Sequence, residues 1–252
     1  MLNYEVSPAL LRPLVPTGTE LDTWNGTTLA SIVGFRFLDT RVLGIPVPGH
    51  RDFDEINLRF YVRRRDEGSD WRRAVVFVRE LVPRRAIAFV ARWLYNEPYA
   101  AVSMKHEIHM DDAEEGQSGS AVYAWRLADR WHHLEVRTRG RPTIPEPSSE
   151  AAFITEHYWG YTVQRDGGSK EYRVEHPPWR VWDTEGAQFE CDVKSVYGKG
   201  FAECLGVTPR SAFLAEGSAV TVHRGQRLDV AARPSGRKTP PDTRTQPEAT
   251  CE

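Results

Sequence analysis

The sequence predicts an α+β fold in which many antiparallel strands curl into a sheet or barrel and a few helices pack against it. Three observations lead there. Apolar and polar residues alternate with period two through 53–64 and 99–110, the pattern of a strand with two unlike faces. Turn signals such as Asn25-Gly26 and Asp166-Gly167-Gly168 separate strand-like runs at hairpin spacing. Only short stretches change to the helical period. Nine Tyr and eight Trp in 252 residues suit strands and walled pockets better than a helical bundle.

Taken in order, Ser7-Pro8 opens a short helix, with Ser as the cap and Pro in the first helical position, and Pro13 or Pro16 must end it. Strands over 21–24 and 27–38 flank Asn25-Gly26, the strongest short-range hairpin signal in the chain. Residues 53–64 and 71–81 form a second pair around the polar turn 66–70. In PRRAIAFVARWLYNEP the residues Ile87, Val90, Ala91 and Leu94 recur at helical spacing, so a helix is expected over about 84–95, stopped by Pro98. Strands follow at 99–110, 120–127 and 131–139. The Pro-rich linker RPTIPEPSSE leads to a short helix near 149–156, and strands at 158–165 and 171–177 meet across Asp166-Gly167-Gly168. A mixed segment over 187–205 and a last strand near 219–223 complete residues 1–232, read as a single domain. The tail 233–252 carries four prolines and little to bury, and is expected to be disordered.

Bulk properties exclude several classes. Thirty-three basic against thirty-five acidic residues give a net charge of −2, so no global field recruits nucleic acid or a membrane surface. Cys191, Cys204 and Cys251 have no CxxC spacing and read as reduced thiols. No signal-peptide pattern opens the chain and no apolar segment reaches spanning length, which predicts a cytoplasmic protein. Neither a phosphate loop nor a GxSxG elbow is present. His106 and His109, three apart on a strand, point to opposite faces, as do His132 and His133. No cofactor and no metal are expected.

The informative stretch is RDFDEINLRFYVRR. Ile56, Leu58, Phe60 and Val62 share one face of its strand, and Glu55, Asn57, Arg59 and Tyr61 share the other. The polar row either lines a ligand cavity or is a solvated outer face carrying weak cross-strand ion pairs. Residues 99–110 repeat the pattern, with Tyr99, Ser103, Lys105, Glu107 and His109 on one face. If buried, Glu55 with Arg59, or Lys105 with Glu107, should pair. In YRVEHPPWRVW, Pro177-Pro178 holds extended backbone around His176; that kink either rims a pocket with His176 and two Trp or ends an edge strand by packing aromatics on the core.

The order of LLRPLVPTGTELDTWNGTTLASIVGFRF, FDEINLRFYV, ARWLYNEPYAAVSM, ITEHYWGYTV and VEHPPW resembles the uncharacterised YqjF-like bacterial family, itself similar to acetoacetate decarboxylase, over nearly the whole chain except the tail. The resemblance implies a largely antiparallel, cone-like β-barrel with a few helices outside and a central cavity. Glu55, Asn57, Arg59 and Tyr61 would then face the lumen, with Ile56, Leu58, Phe60 and Val62 under the outer helices. It also admits a homo-oligomer, although no heptad or apolar patch marks an interface. The decarboxylase forms its Schiff base through a lysine in a Gly-Tyr-Pro-Lys-Lys run, made nucleophilic by burial and a neighbouring cation. Here Pro98 remains, but Tyr99 and Ala100 stand at the lysine pair. Lys105 lies downstream with Glu107 beside it, which keeps it protonated. Glu5 stands where the decarboxylase has an arginine, so the imine mechanism does not carry over.

Three functions follow as expectations. The first is an enzyme on a small oxygenated or carboxylate-bearing metabolite. Glu55 and Arg59 would be catalytic, Arg59 anchoring the anion and Glu55 acting as a base because Arg59 opposes a raised pKa. Asn57, Tyr61, Tyr99, Lys105 and His176 would bind the substrate. The second is a binding or sensing barrel using the same residues without chemistry. The third is an interaction module presenting Trp159 and Trp179 to a partner protein.

Overall fold

Local sequence chemistry sets the first elements as expected. The structure, a computed structural model, describes residues 1–42, 45–46, 51–65, 70–83, 99–110, 118–127 and 129–228. The expected helix over 84–95, most of the polar turn at 66–70 and the tail lie outside the described residues. Strand β1 (Leu2–Glu5) precedes helix α1 (Pro8–Leu11), where the Ser7 hydroxyl accepts from the Ala9 amide and Leu11 is buried. A 3-10 turn over Arg12–Leu14 follows. Asn25 and Gly26 both take positive φ, 50° and 81°, which a tight primed turn demands, and Trp24 bridges Thr27 across it. The short strand before the turn, β2 (Glu20–Leu21), pairs with β6 rather than with the strand after it, so Asn25-Gly26 makes a turn without a long two-stranded hairpin.

The remaining strands are β3 (Leu29–Phe37), β4 (Arg41–Val42), β5 (Ile45–Pro46), β6 (Phe53–Arg65), β7 (Trp71–Pro83), β8 (Tyr99–Met110), β9 (Ser118–Leu127), β10 (Arg130–Thr143), β11 (Trp159–Val163), β12 (Ser169–Glu175), β13 (Val181–Glu190), β14 (Ser211–Ala212), β15 (Leu214–Ala215), β16 (Thr221–Val222) and β17 (Gln226–Arg227). Helix α2 (Glu150–Thr155) is capped by Ser149, and α3 (Val193–Tyr197) by Asp192. Gly198, at φ 92°, turns α3 into α4 (Lys199–Leu205).

Among the described residues the main sheet runs β14-β1-β3-β6-β7-β8-β9-β10-β13-β15, antiparallel along this path except at β7–β8; off the path β11 joins β7 in parallel and β12 joins β11. The two ends of the path belong to one short stretch. Ser211 and Ala212 pair with β1, Leu214 and Ala215 pair with β13, and only Phe213 separates them.

Seven of these strands lie outside the expected ones: β1, β4, β5, β13, β14, β15 and β17. β1 is four residues long and β4, β5, β14, β15 and β17 are two each, too few alternations to register. β13 overlaps the expected mixed segment only over 187–190; VWDTEGAQFE has charged or small residues on both faces, and the strand is held by pairing with β10 from His133 to Thr143, not by its own pattern.

The apolar rows of the strands face one another across the curl. Leu2, Tyr4, Ile32, Ile56, Leu58, Phe60, Trp125, Leu134 and Val136 share one core with Val196, Tyr197, Phe201 and Leu205 from α3 and α4. Gly34 shows how tightly the two sides meet. A Cβ there would lie 2.9 Å from Ile56, 2.9 Å from Tyr123 on β9 and 3.0 Å from Leu134 on β10. Gly34→Ala is therefore expected to cost about 1–3 kcal/mol through overpacking, read as a lower urea midpoint at unchanged m-value.

Candidate functional site

The register answers which face of β6 looks where, and it reverses the expectation. Ile56 lies opposite Gly34 in register, and Gly34 touches Tyr123 and Leu134, so the apolar row points into the curl. The polar row lies on the other face. The reason is packing: the interior is filled by apolar rows from both sides of the sheet, and a charged row there would have met no polar partners. The polar row is nevertheless not solvated. Glu55 and Asn57 are 2% and 1% exposed, Tyr61 is buried, and Arg59 is partly buried. At the Tyr61 end the cover is α2 and its surroundings. The Tyr61 ring packs at 5.4 Å on Phe153 and 4.5 Å on His157, while Arg59 Nη2 reaches the Ile154 carbonyl oxygen at 3.4 Å and Met1 Sδ at 4.0 Å.

Within the row, Asn57 Nδ2 donates to Glu55 Oε1 at 2.9 Å. Glu55 Oε2, Asn57 Oδ1 and Arg59 Nε are all buried without a hydrogen-bond partner among the described residues. Burial pushes the Glu55 pKa up to about 7, and the Asn57 hydrogen bond and the Arg59 charge pull it back only in part. The expectation that Arg59 would keep Glu55 an ordinary carboxylate thus fails, because desolvation outweighs a guanidinium four residues along the strand.

Glu80 completes the site and was not anticipated. It pairs in register with Asn57 on one side and Tyr99 on the other, is fully buried, and accepts the Tyr99 hydroxyl at 2.9 Å. The signal was present: a lone acid in the run AVVFVRELV must be either solvent-facing or held for a purpose. His157 was also missed, although it stood inside the quoted ITEHYWG. It is buried against Tyr61 and 3.4 Å from Asp22, which Arg73 holds at 2.9 Å. Burial lowers its pKa to about 4, so it is neutral at pH 7.

The other expected residues divide. Tyr61 sits in the row, but its hydroxyl is committed to the scaffold. Ser31 donates to Asn3 Oδ1 at 2.7 Å and so accepts from Tyr61 at 2.6 Å; Asn3 Nδ2 donates to Ser211 at 2.9 Å, and Ser211 donates to Glu150. This chain of bonds pins α2 across β14, β1, β3 and β6. Lys105 is not brought to the row. It lies exposed on β8 with its ammonium 4.6 Å above the Trp131 ring, and Glu107, equally exposed, bonds His109 at 2.9 Å instead. No pairing of Lys105 with Glu107 forms, because on an open face a carboxylate takes the nearest donor. His176 is half-buried, stacked 4.1 Å from Trp179 and 4.9 Å from Tyr158. Burial first, and the Arg59 charge less strongly, hold His176 below the ordinary histidine range. Trp159 and Trp179 are both engaged: Arg72 lies 4.5 Å over the Trp159 ring, and Trp179 Nε1 donates to Ser218 at 2.8 Å.

Residues 1–219 match the model of a family described as an uncharacterized conserved protein, DUF2071. The uncharacterized protein YqjF of Bacillus subtilis (strain 168) is 30% identical over 188 residues, covering 73% of this chain and 72% of that one. Among solved structures, acetoacetate decarboxylase from Legionella pneumophila superposes with a TM-score of 0.56 at 13% identity, over 90% of this chain and 82% of that one. The enduracididine biosynthesis enzyme MppR complexed with pyruvate gives 0.54 at 16% identity, over 90% and 86%. An acetoacetate decarboxylase-like enzyme from Sphingomonas wittichii RW1 gives 0.53 at 15%, over 90% and 89%. At such identities the likeness to these three structures is one of fold. No helix among the described residues is long and apolar enough to cross a membrane.

Proposed function

The chain belongs to the DUF2071 family, and from that premise, with the acetoacetate decarboxylase-like fold of its solved neighbours, we propose that the row Glu55–Asn57–Arg59, with Glu80 and Tyr99, binds a small oxygenated or carboxylate-bearing metabolite. The observation that carries this reading is the set of three buried, unpartnered polar atoms at successive same-face positions of β6. Each unmade hydrogen bond costs about 1–3 kcal/mol, an expense with no structural return unless something else completes the set. Arg59 Nε is the donor for a carboxylate, and Asn57 and Tyr99 orient the remainder. Glu55, poised near pH 7, exchanges a proton with the ligand. His176 rims the Arg59 end. Tyr61 acts through position, not through its hydroxyl.

The ligand class is supported by the neighbours' own ligands and names, pyruvate for MppR and acetoacetate for the decarboxylases, both oxo acids. The cone-like barrel belongs to the same proposal, with Phe213 as the joint that rounds the sheet, as does a single domain over 1–232. An imine is not part of it. The chain has five lysines; Lys105, Lys194 and Lys199 are exposed, Lys170 is half-exposed, and Lys238 lies in the tail. A lysine becomes a nucleophile at neutral pH through deep burial; burial lowers the pKa of Lys170, but its side chain stays half-exposed on β12, and the other three described lysines are exposed. The commitment of the Tyr61 hydroxyl to Ser31 favours a second reading, a binding or sensing barrel without turnover.

Thermal shift with pyruvate and acetoacetate tests the site. Millimolar ligand is expected to raise Tm in the wild type and not in Arg59→Ala, and equal responses in the two proteins count against the row. Deuterium exchange at the methyl of bound pyruvate, lost in Glu55→Gln, separates an acid–base site from a passive one.

A further inference from the structure

A charged pair stands on the inner face of the sheet, at the end of β6 where the apolar row stops. Asp54 shares that face with Ile56 and is 7% exposed. Its Oδ2 accepts from His106 Nδ1 on β8 at 2.9 Å, while Oδ1 is buried without a hydrogen-bond partner among the described residues. Four strands meet there. The His106 ring lies 6.2 Å from that of Tyr123, its register partner on β9. Tyr123 in turn is a ring that a Cβ at Gly34 of β3 would touch. Arg36, two positions beyond Gly34 on the same face, pairs in register with Asp54.

The place is open to solvent. The His106 side chain is 30% exposed, and Ile108 and Met110, next on its face of β8, are 44% and 37% exposed. Most apolar residues of this face are buried, so these two form a bare rim beside the charged pair. The choice of partner is specific. A pair serving only the fold would use Arg36, which stands opposite Asp54 and is charged at every pH, yet Asp54 takes His106 from a different strand. Two consequences follow. Because Nδ1–H is given to the carboxylate, the neutral imidazole carries its lone pair on Nε2, the ring nitrogen not bonded to Asp54. Arg36, exposed and in no ion pair among the described residues, keeps its charge for an incoming anion.

We infer that His106, Arg36, Ile108 and Met110, set in place by Asp54, form a second ligand site at the open inner margin of the sheet, for a small hydroxy acid with an apolar side chain. It lies on the face of β6 opposite the Glu55 row and does not depend on that row. The ligand hydroxyl donates to His106 Nε2, its carboxylate pairs with the Arg36 guanidinium, and its alkyl part covers Ile108 and Met110. Asp54 is a positioning residue that fixes the tautomer.

2-Hydroxyisocaproate is the probe, and isocaproate, which lacks only the hydroxyl, is its control. All proteins carry Arg59→Ala, which removes the cation of the polar row, so failure of that row leaves this site measurable. At pH 8.5, above the usual histidine range, NMR titration is expected to show saturable binding of the hydroxy acid about tenfold tighter than of isocaproate, with contacts from its methyl groups to Ile108 and Met110. His106→Phe should bring the two acids to equal affinity, and Arg36→Gln should weaken both alike. Asp54→Asn should abolish the preference for the hydroxyl while isocaproate binds as before, and nitrogen-15 shifts of the His106 ring in the parent should place the proton on Nδ1. Overturning results are an absence of saturable binding, equal affinity for the two acids in the parent, a hydroxyl preference that survives His106→Phe, or a proton on Nε2. Should His106→Phe fail to fold, Arg36→Gln at its exposed position decides, and unchanged affinity for both acids there overturns the site.

Discussion

Glu55→Gln is expected to stabilise the ligand-free protein at pH 8 by about 3 kcal/mol, although it removes the proton-exchanging group of the proposed site. The folded pKa of Glu55 is about 7 against an ordinary 4.5. Over pH 4.5 to 7 the folded state therefore holds a proton that the unfolded state has released, and stability falls as pH rises through that window. Above pH 7 both states are ionised and the whole desolvation cost is present, at about 1.4 kcal/mol per pKa unit. Glutamine keeps the shape and an oxygen for Asn57, carries no charge, and abolishes the slope. Urea denaturation from pH 4 to 9 reads this directly: the two proteins should coincide near pH 4 and diverge above it. His157, lowered to about 4, adds the opposite slope below pH 6.5 in both proteins and cancels in their difference, so a gap that does not widen between pH 5 and 8 would show Glu55 to be hydrated and the row to be open to water. A residue that weakens the fold by being ionised, in a place where Gln would serve the fold better, is the energetic mark of a site kept for chemistry or binding.

Glu171→Ala is expected to have the opposite sign and a similar size, a loss of about 3–5 kcal/mol. Glu171 is buried on β12, where its carboxylate accepts from the Tyr161 hydroxyl at 2.5 Å, from Arg72 at 2.8 Å and from Arg64 at 3.3 Å. Burial alone would raise its pKa, but the hydrogen bonds from Tyr161 and Arg72 outweigh it and hold the carboxyl below the ordinary value. Its contribution is therefore complete above about pH 4.5 and is lost as pH falls through the depressed folded pKa. Alanine removes the shared acceptor and leaves the Tyr161 hydroxyl buried without it. The variant should unfold at markedly lower urea at pH 7, with the gap to wild type narrowing toward pH 3; a constant gap would assign the loss to packing.

Glu55 and Glu171 also mark what a linear reading can and cannot reach. The alternation in 53–64 and 99–110 fixes strands, and Ser7-Pro8 and Ser149 fix helix starts, because these depend on neighbours in sequence. Membership of one polar row was legible for the same reason: Glu55, Asn57, Arg59 and Tyr61 are two apart on one strand. Its orientation was not. Period two says that faces differ, and only the arrival of Tyr123 and Leu134 opposite Gly34 decides which face is inside. Glu80 and His157 escaped because their partners, Asn57 and Tyr99 for one and Asp22 and Tyr61 for the other, lie on different strands. Lys105 was misjudged because Trp131, which holds it at the surface, is 26 positions away.

The five residues 211–215 have one more effect. An open curved sheet ordinarily offers two bare margins, each a template onto which a foreign strand can zip. Here Leu2 and Asn3 on the margin of β1 and Val181 and Trp182 on that of β13 are paired with the same piece of chain, hinged at Phe213. Loss of that single seam, by proteolytic nicking or a proline at Ala212, would bare both stretches at once and leave them open to pairing with a foreign strand.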